Sequence, residues 1–522
     1  MIADDPSAAT EAVDSRRVAT RGSLGQGATV LTVASLLGSV LNLGTAIIAS
    51  RLYGPAIVGE FALVLAPWGM LVRISTIGEQ LWFTRLASIT DLRTQALGGL
   101  FRSLFWFSSA VTAGVAVLTA AATVGLFLGP IGRPQLIAPA CVLLVGYVVI
   151  DNIGWNLETL LTATGQFGAL SWSRLGQGGS ILAATWLLTI PLRSVWGLTV
   201  ATLLGFAVQL LIRLPAAVRV LPKRLDVSTR RGRLRQFHEL RTYTAPFIPA
   251  SAMTGIFGQA PTMVLGASSS NLEVGVFSRA VNITLRFQEL VFRLSGSMMA
   301  HLSQARAEGV DVFRATARRV IVAAILVAGL PCAFLASSAE SVLRVFGAEF
   351  AKGATTLVIM TAAVFFGTVD MALLAAIVSI DRPRAMAWSS TIGQSLGLLS
   401  LFPLVAIWGA NGAAGAQLVG ALTVCAAYAL VLLRSGHGPV LRVRILPAAG
   451  VIASALAAGI LSNEVLAYPA DLAAAGVSVP VVFGMVCLLT GLVTLTQIRA
   501  AQHEGMALLR RIPMPWKRST QR

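Results

Sequence analysis

The chain has 522 residues, 56% of them hydrophobic and 12% charged, with a formal net charge of +18. A mean hydropathy of +0.77 excludes an ordinary soluble domain, in which about a quarter of the residues are charged. The positive charge would suit nucleic acid, so its distribution along the chain has to decide.

A helical span needs about 20 mostly apolar residues. The polar segment 1–27, which contains SRRVATRG, resembles a twin-arginine signal only faintly and is followed by no small-residue cleavage site. It reads as an uncleaved cytoplasmic arm, disordered up to about Arg21. Fourteen segments then qualify as spans: 28–52, 57–81, 103–128, 135–161, 168–190, 195–214, 243–266, 274–298, 319–338, 354–378, 386–407, 411–433, 445–465 and 474–497. The first six fill residues 28–214. The basic stretch RLPAAVRVLPKRLDVSTRRGRLRQFHELR marks a cytoplasmic linker over 215–242. Six more spans fill 243–433, two lie within 434–497, and 498–522 form a basic cytoplasmic tail. An all-α polytopic membrane protein is expected.

With the N-terminus inside, thirty-one of the forty Lys and Arg fall on the side of the termini. Five (Arg51, Arg133, Arg193, Arg344 and Lys352) fall on the other, and Arg73, Arg279, Arg286 and Arg293 lie within spans. This asymmetry follows the positive-inside rule and puts both termini in the cytoplasm of a cell-membrane protein. The basic charge therefore orients the chain, and nucleic acid is not an expected partner. Cys141, Cys332, Cys425 and Cys487 fall inside spans and read as free buried thiols, while the four histidines show no metal-ligand spacing.

Two halves are visible in the sequence. VGEF at 58–61 recurs as VGVF at 274–277, an offset of 216, and ALSWSRLGQ at 169–177 recurs as AMAWSSTIGQ at 385–394 with one inserted residue. A duplicated unit with an even number of spans enters the membrane from the same side each time. The two copies are then related by an axis along the membrane normal.

The opening LLGSVLNLGTAIIASRLYGPAIVGEFALVLAPWGML resembles the first two helices of the bacterial polysaccharide-transporter, or lipid-linked oligosaccharide flippase, family. ASRLYGPAIVGEFAL (49–63) and SSNLEVGVFSRAVNI (269–283) carry that resemblance. It implies the superfamily that includes multidrug and toxic compound extrusion transporters and lipid II flippases. The implied fold has two pseudo-symmetric six-helix lobes around a central V-shaped cavity, with two further C-terminal helices. The implied function is alternating-access translocation of a polyprenyl-pyrophosphate-linked oligosaccharide, a surface-polysaccharide repeat unit, from the cytoplasmic to the outer leaflet. Membrane lipids, a polysaccharide polymerase or glycosyltransferases, and a coupling cation (H+ or Na+) are the implied partners. That step breaks no bond, so no enzyme, cofactor or metal is expected. A cation-coupled multidrug exporter and a lipid II flippase are the alternatives on the same fold.

Charges inside spans mark the candidate site, because each costs about 2.5–3.5 kcal/mol at the bilayer centre even on the lenient insertion scale. In VNITLRFQELVFRLSGSMM (281–299), Arg286 and Arg293 continue a spacing of seven that begins at Arg279, so the three share one helix face. Glu289 lies between the last two on that face. Such a stripe suits a water-filled cavity in which Arg286, Arg293, Arg279 and Arg73 hold a pyrophosphate bidentately; a structural Arg–Glu–Arg ladder is the competing reading. Arg286 is the strongest member by depth, and Arg279 the weakest. The repeat pairs Arg73 with Glu289. Asp151 and Asp370, in roughly corresponding mid-span positions, are candidates for ion coupling alongside Glu289, and Glu158 for the inner vestibule. Asn152, Asn156 and Gln177 suit helix–helix hydrogen bonds better than sugar. LGQGGS (175–180) lacks the Lys-Ser/Thr of a phosphate loop.

Overall fold

The computed structural model describes residues 6–76, 79–80, 82–83, 95–221, 238–242, 244–245, 248–441 and 445–490, and these contain helices and no strand. Pro6–Ser75 is one helical run broken at Gly54, whose φ of 78° is open to glycine without strain; its arms, 6–53 and 55–75, are α1 and α2. Then come α3 (Gln95–Leu128) and α4 (137–163), the latter interrupted by a π-helical turn at Tyr147–Asp151. α5 (Phe167–Leu187) and α6 (Val195–Val220) complete the first half. The second half holds α7 (Ile248–Ser268), α8 (Asn271–Glu308), α9 (Val310–Ser337) and α10 (Ala354–Ser379). Pro383–Leu432 breaks at Gly409 (φ 52°) into α11 (383–408) and α12 (410–432), and α13 (Ile445–Val465) and α14 (Ala470–Leu489) follow. Among the described residues, nine helical stretches are long and apolar enough to cross a membrane. Two of them, Val33–Ser75 and Arg384–Leu441, contain the breaks at Gly54 and Gly409.

The duplication is written in the element boundaries. α2 to α6 start at 55, 95, 137, 167 and 195, and α8 to α12 at 271, 310, 354, 383 and 410, offsets of 216, 215, 217, 216 and 215. The N-terminal arm is the main departure from expectation, because helix begins at Pro6 rather than near residue 28. Its AATEAV start is rich in good helix formers, and charge does not oppose helix outside a membrane. α6 likewise runs on to Val220, through Pro215, into what reads as the start of the linker. Residues 222–237 of that linker and the tail 498–522 lie outside the described residues.

We call the end of the bundle that carries the 52–57, 269–271 and 338–353 turns the outer end, following the charge distribution. One apolar core there is shared by both halves, joining Val58, Leu63 and Phe127 to Val274, Phe277, Leu343 and Ala413. At the other end the cores are separate. Trp82, Phe83, Leu104, Leu160 and Leu170 form one within the first half, and Leu302, Phe313, Ile321, Leu373 and Leu432 form another within the second. Each core excludes water on its own, so at the inner end each half is sealed separately. The halves still touch there along α2 and α7, where Gly255 lies against Ile74 and Met70 and the Ser251 hydroxyl donates to the Thr76 carbonyl at 3.3 Å. We call the region between α2 and α8 inward of the fused end the wedge. α13 and α14 pack on α9, where Gly329 admits Ile452 and Phe483.

Local chemistry explains some of the joins. Pro261 in α7 has no N–H to give the Phe257 carbonyl four residues earlier, and the Gln417 side chain of α12 donates to that oxygen at 3.1 Å. The Asn152 amide oxygen accepts from Ser108 (3.2 Å) and Thr112 (3.3 Å), and its nitrogen donates to Ser109 (3.2 Å). The Asn156 amide donates to the Asn152 carbonyl at 2.8 Å. These amides are committed to holding α3 on α4, in an apolar setting where an unpaired amide costs several kcal/mol. The four cysteines are unpaired, Cys332 and Cys487 buried and Cys141 and Cys425 half-buried.

Candidate functional site: the wedge between α2 and α8

The wedge closes where α2 meets α8. Gly59 and Gly275 lie backbone to backbone there: a Cβ at Gly59 would stand 1.9 Å from the Asn271 carbonyl oxygen, and one at Gly275 would stand 2.2 Å from that of Pro55. Only glycine permits this approach. Three polar contacts cross between the halves around it. Asn271 Nδ2 donates to Glu60 Oε1 at 2.9 Å, Arg133 Nη2 to the Ser269 carbonyl at 3.1 Å, and Arg51 Nε to the Val345 carbonyl at 2.8 Å. Ser269 and Val345 sit at helix C-termini, where carbonyls lack helical partners and the dipole favours a cation. None of these seam residues stood out in the sequence as a contact, since partners more than a hundred residues apart leave no local pattern.

α8 begins at a Ser270 cap, whose side chain accepts from the Glu273 N–H at 3.3 Å. At 100° per residue, Arg279, Glu289, Arg286 and Arg293 all fall within about 40° of the direction in which Gly275 points. The charged stripe therefore continues, turn by turn, the face that touches α2. Arg279 is 6% exposed, its Nε has no hydrogen-bond partner, and no acid among the described residues bears on it. Arg286 is half-buried. For Glu289 and Arg293 the structure describes the backbone position on α8. Across the wedge, Arg73 lies on the last turn of α2 and is exposed. The burial order thus reverses the sequence ranking of Arg279 and Arg286. Depth along the helix was readable from the sequence; the cover that α2 and the shared core give the first three turns of α8 was not.

The carboxylates of the first half belong to a different place. Glu158 of α4 is clamped by two arginines: Arg213 Nη2 donates to Oε2 at 2.6 Å and Arg174 Nη2 to Oε1 at 2.7 Å. Arg213 is fully buried and also donates to the Gly154 carbonyl (2.8 Å) and the Ser173 hydroxyl (3.0 Å). Arg174 reaches on to the Ser35 hydroxyl of α1. Asp151, 5% exposed at the end of the π-turn, lies within the field of Arg213. This cluster welds α1, α4, α5 and α6 together. Arg174 and Arg213 are the functional-looking residues that the sequence reading missed: the basic, proline-containing run around Arg213 read as linker, and Arg174 stood out only as part of the repeated ALSWSRLGQ. Asp370 of α10 stands apart in the second half, half-buried, with Cys425 and Tyr428 of α12 within its field. The backbone of α8 thus carries positions 279, 286, 289 and 293 on one helix face, Arg73 lies beside Gly255 of α7, and Asp151 with Glu158 and Asp370 are in separate places.

A helix face that carries arginine positions beside the α2–α8 seam has the chemistry to meet an anionic group. Among solved structures, the chain is similar to a lipid II flippase MurJ in an inward closed conformation, at 13% identity and a TM-score of 0.68, over 89% of this chain and 98% of that one. It is also similar to an inward-facing multidrug resistance MATE family transporter, at 17% identity and a TM-score of 0.58, over 80% and 95% of the two chains. A eukaryotic MATE transporter, AtDTX14, follows at 14% identity and a TM-score of 0.51, over 81% and 99%. These likenesses show the fold. Comparison with curated protein sequences finds no match. Residues 24–299, more than half of the chain, match the family described as polysaccharide biosynthesis protein, and the chain belongs to that family.

Proposed function

We propose that the protein is a flippase that carries a polyprenyl-pyrophosphate-linked oligosaccharide across the cell membrane by alternating access, with all fourteen helical segments crossing and both termini cytoplasmic. One observation carries this reading: among the described residues, the buried Arg279 guanidinium has no hydrogen-bond partner at Nε and no compensating acid, and it lies on the α8 face that carries the arginine positions. An isolated buried charge is costly, and a phosphate group is the ligand a guanidinium matches bidentately. Arg286, Arg293 and Arg73 lie along the route from the open end, where the head group first meets positive charge. The lipid tail remains in the bilayer. A proton or sodium ion returning through the lobes drives the cycle, with Asp151 and Asp370 as the carboxylates that bind it. A polymerase or glycosyltransferase supplies or consumes the substrate on either side.

Arg279→Ala gives the test two opposite readings. Losing hydrogen bonds to a charged group is worth about 1.5–3 kcal/mol, so head-group translocation in proteoliposomes should fall about ten- to hundred-fold. The empty protein should at the same time melt at a higher temperature, because an uncompensated charge has left its interior. Arg279→Lys should recover translocation only in part, since an ammonium lacks the fork. Unchanged translocation with a lower melting temperature would make Arg279 a structural residue and remove the support for an anionic substrate.

A further inference from the structure

Gly59 and Gly275 are mates in the internal repeat, 216 residues apart, and they touch. Two mates meet only where the pseudo-twofold axis passes between them, so the outer seam lies on that axis. Moving fourteen residues along each helix from the contact, about 21 Å at 1.5 Å per residue, leads to Arg73 on α2 and Glu289 on α8. They too are mates. Fourteen residues also return to within about 40° of the starting direction, so both positions lie on the faces that meet at the glycines.

The two glycines are identical, as a symmetric contact requires, whereas the mates at 73 and 289 carry opposite charge. Like charges brought together across a twofold axis repel; opposite ones attract. In the present state Arg73 is exposed and has no ion pair with any described residue. The inner cores do not cross between the halves, and neither joins α2 to α8. There the halves touch along α2 and α7, where Gly255 lies against Ile74 and Met70 and the Ser251 hydroxyl donates to the Thr76 carbonyl at 3.3 Å. We infer that, in the state whose inner end is shut, Arg73 and Glu289 meet across the axis as an ion pair that latches the inner gate, at the level where the α2 and α8 faces converge. This inference rests on the alternating-access reading above. It assigns Arg73 a role in closure beyond any first contact with substrate. The outer contacts, Glu60 with Asn271 and Arg133 with the Ser269 carbonyl, would part as this pair forms.

Two measurements on the full-length chain decide it. In membranes, a variant carrying Arg73→Cys and Glu289→Cys on a background without native cysteines is treated with a short bifunctional thiol reagent. The pair should cross-link, and the yield should fall at least several-fold when Glu60→Cys and Asn271→Cys have first been joined to lock the outer seam. No cross-link in either condition, or the same yield in both, would overturn the gate. This readout needs no glycan, so it stands even if the substrate assignment fails. For transport, Arg73→Glu and Glu289→Arg should each slow head-group translocation about ten-fold or more, and the double reversal should restore most of it. A double variant no better than the worse single one would mean that the two residues act separately and that no latch exists.

Discussion

Gly59→Val should reduce transport below detection while leaving the protein folded, with its outer seam held apart. The Cβ it introduces would stand 1.9 Å from the Asn271 carbonyl oxygen and 2.9 Å from the Gly275 nitrogen. Both are backbone atoms of a packed helix, so no side-chain rotation relieves the clash. Overpacking costs about 1–3 kcal/mol when a core can yield, and this junction can yield only by separating α2 from α8. Gly59→Ala should therefore already slow transport about ten- to hundred-fold, and valine more. The same holds for Gly275, where the added atom meets the Pro55 carbonyl oxygen at 2.2 Å. The check is the reactivity of Glu60→Cys towards a membrane-impermeant maleimide applied from outside. It should be slow on the wild-type background and several-fold faster with Gly59→Val. Normal transport by Gly59→Val would mean that the glycine contact is incidental to the cycle.

Glu158→Ala should cost more stability than any other single substitution considered. Arg213 is fully buried, and among the described residues Glu158 is its one acidic partner at bonding distance. Removing one member of a buried pair leaves the other charge uncompensated, at about 3–5 kcal/mol. Little folded protein should survive detergent extraction and mild heating. Replacing the pair by apolar residues of similar size, Glu158→Leu with Arg213→Met, should recover much of the loss, because the penalty comes from the orphaned charge. Arg174 would keep its Ser35 contact in that variant. If Glu158→Ala melts like the wild type, water must reach Arg213, and the cluster would belong to the transport route instead of the scaffold.

These two predictions differ in how far the sequence had announced them. The repeat offset of 216 between VGEF and VGVF was readable at once, and it places Gly59 opposite Gly275. That the mates touch depends on how two whole halves pack, which no local pattern records. The element boundaries were largely legible because apolar length marks a membrane helix directly. α1 was the exception: its first turns are helical by propensity, without being apolar. The face shared by Arg279, Arg286, Glu289 and Arg293 followed from the heptad spacing alone. Arg213 was lost to its neighbours, because a proline two residues on and a run of basic residues signal a loop, whereas α6 carries the proline and continues to Val220. Glu158 read as a vestibule residue from its place about two turns beyond Asp151 on a similar face. Its two guanidinium partners come from α5 and α6, and a carboxylate's role depends on what faces it.

The most direct measurement is head-group translocation by the purified protein in proteoliposomes, using a fluorescent polyprenyl-pyrophosphate oligosaccharide whose exposed fraction is quenched from outside. Wild-type protein should move the label from the protected to the quenchable leaflet far faster than protein-free vesicles do. Free pyrophosphate should compete, and cationic dyes should neither be exported nor slow the reaction. Export of cationic dyes with no movement of any pyrophosphate-linked glycan would contradict the flippase reading and make the same wedge a drug exporter.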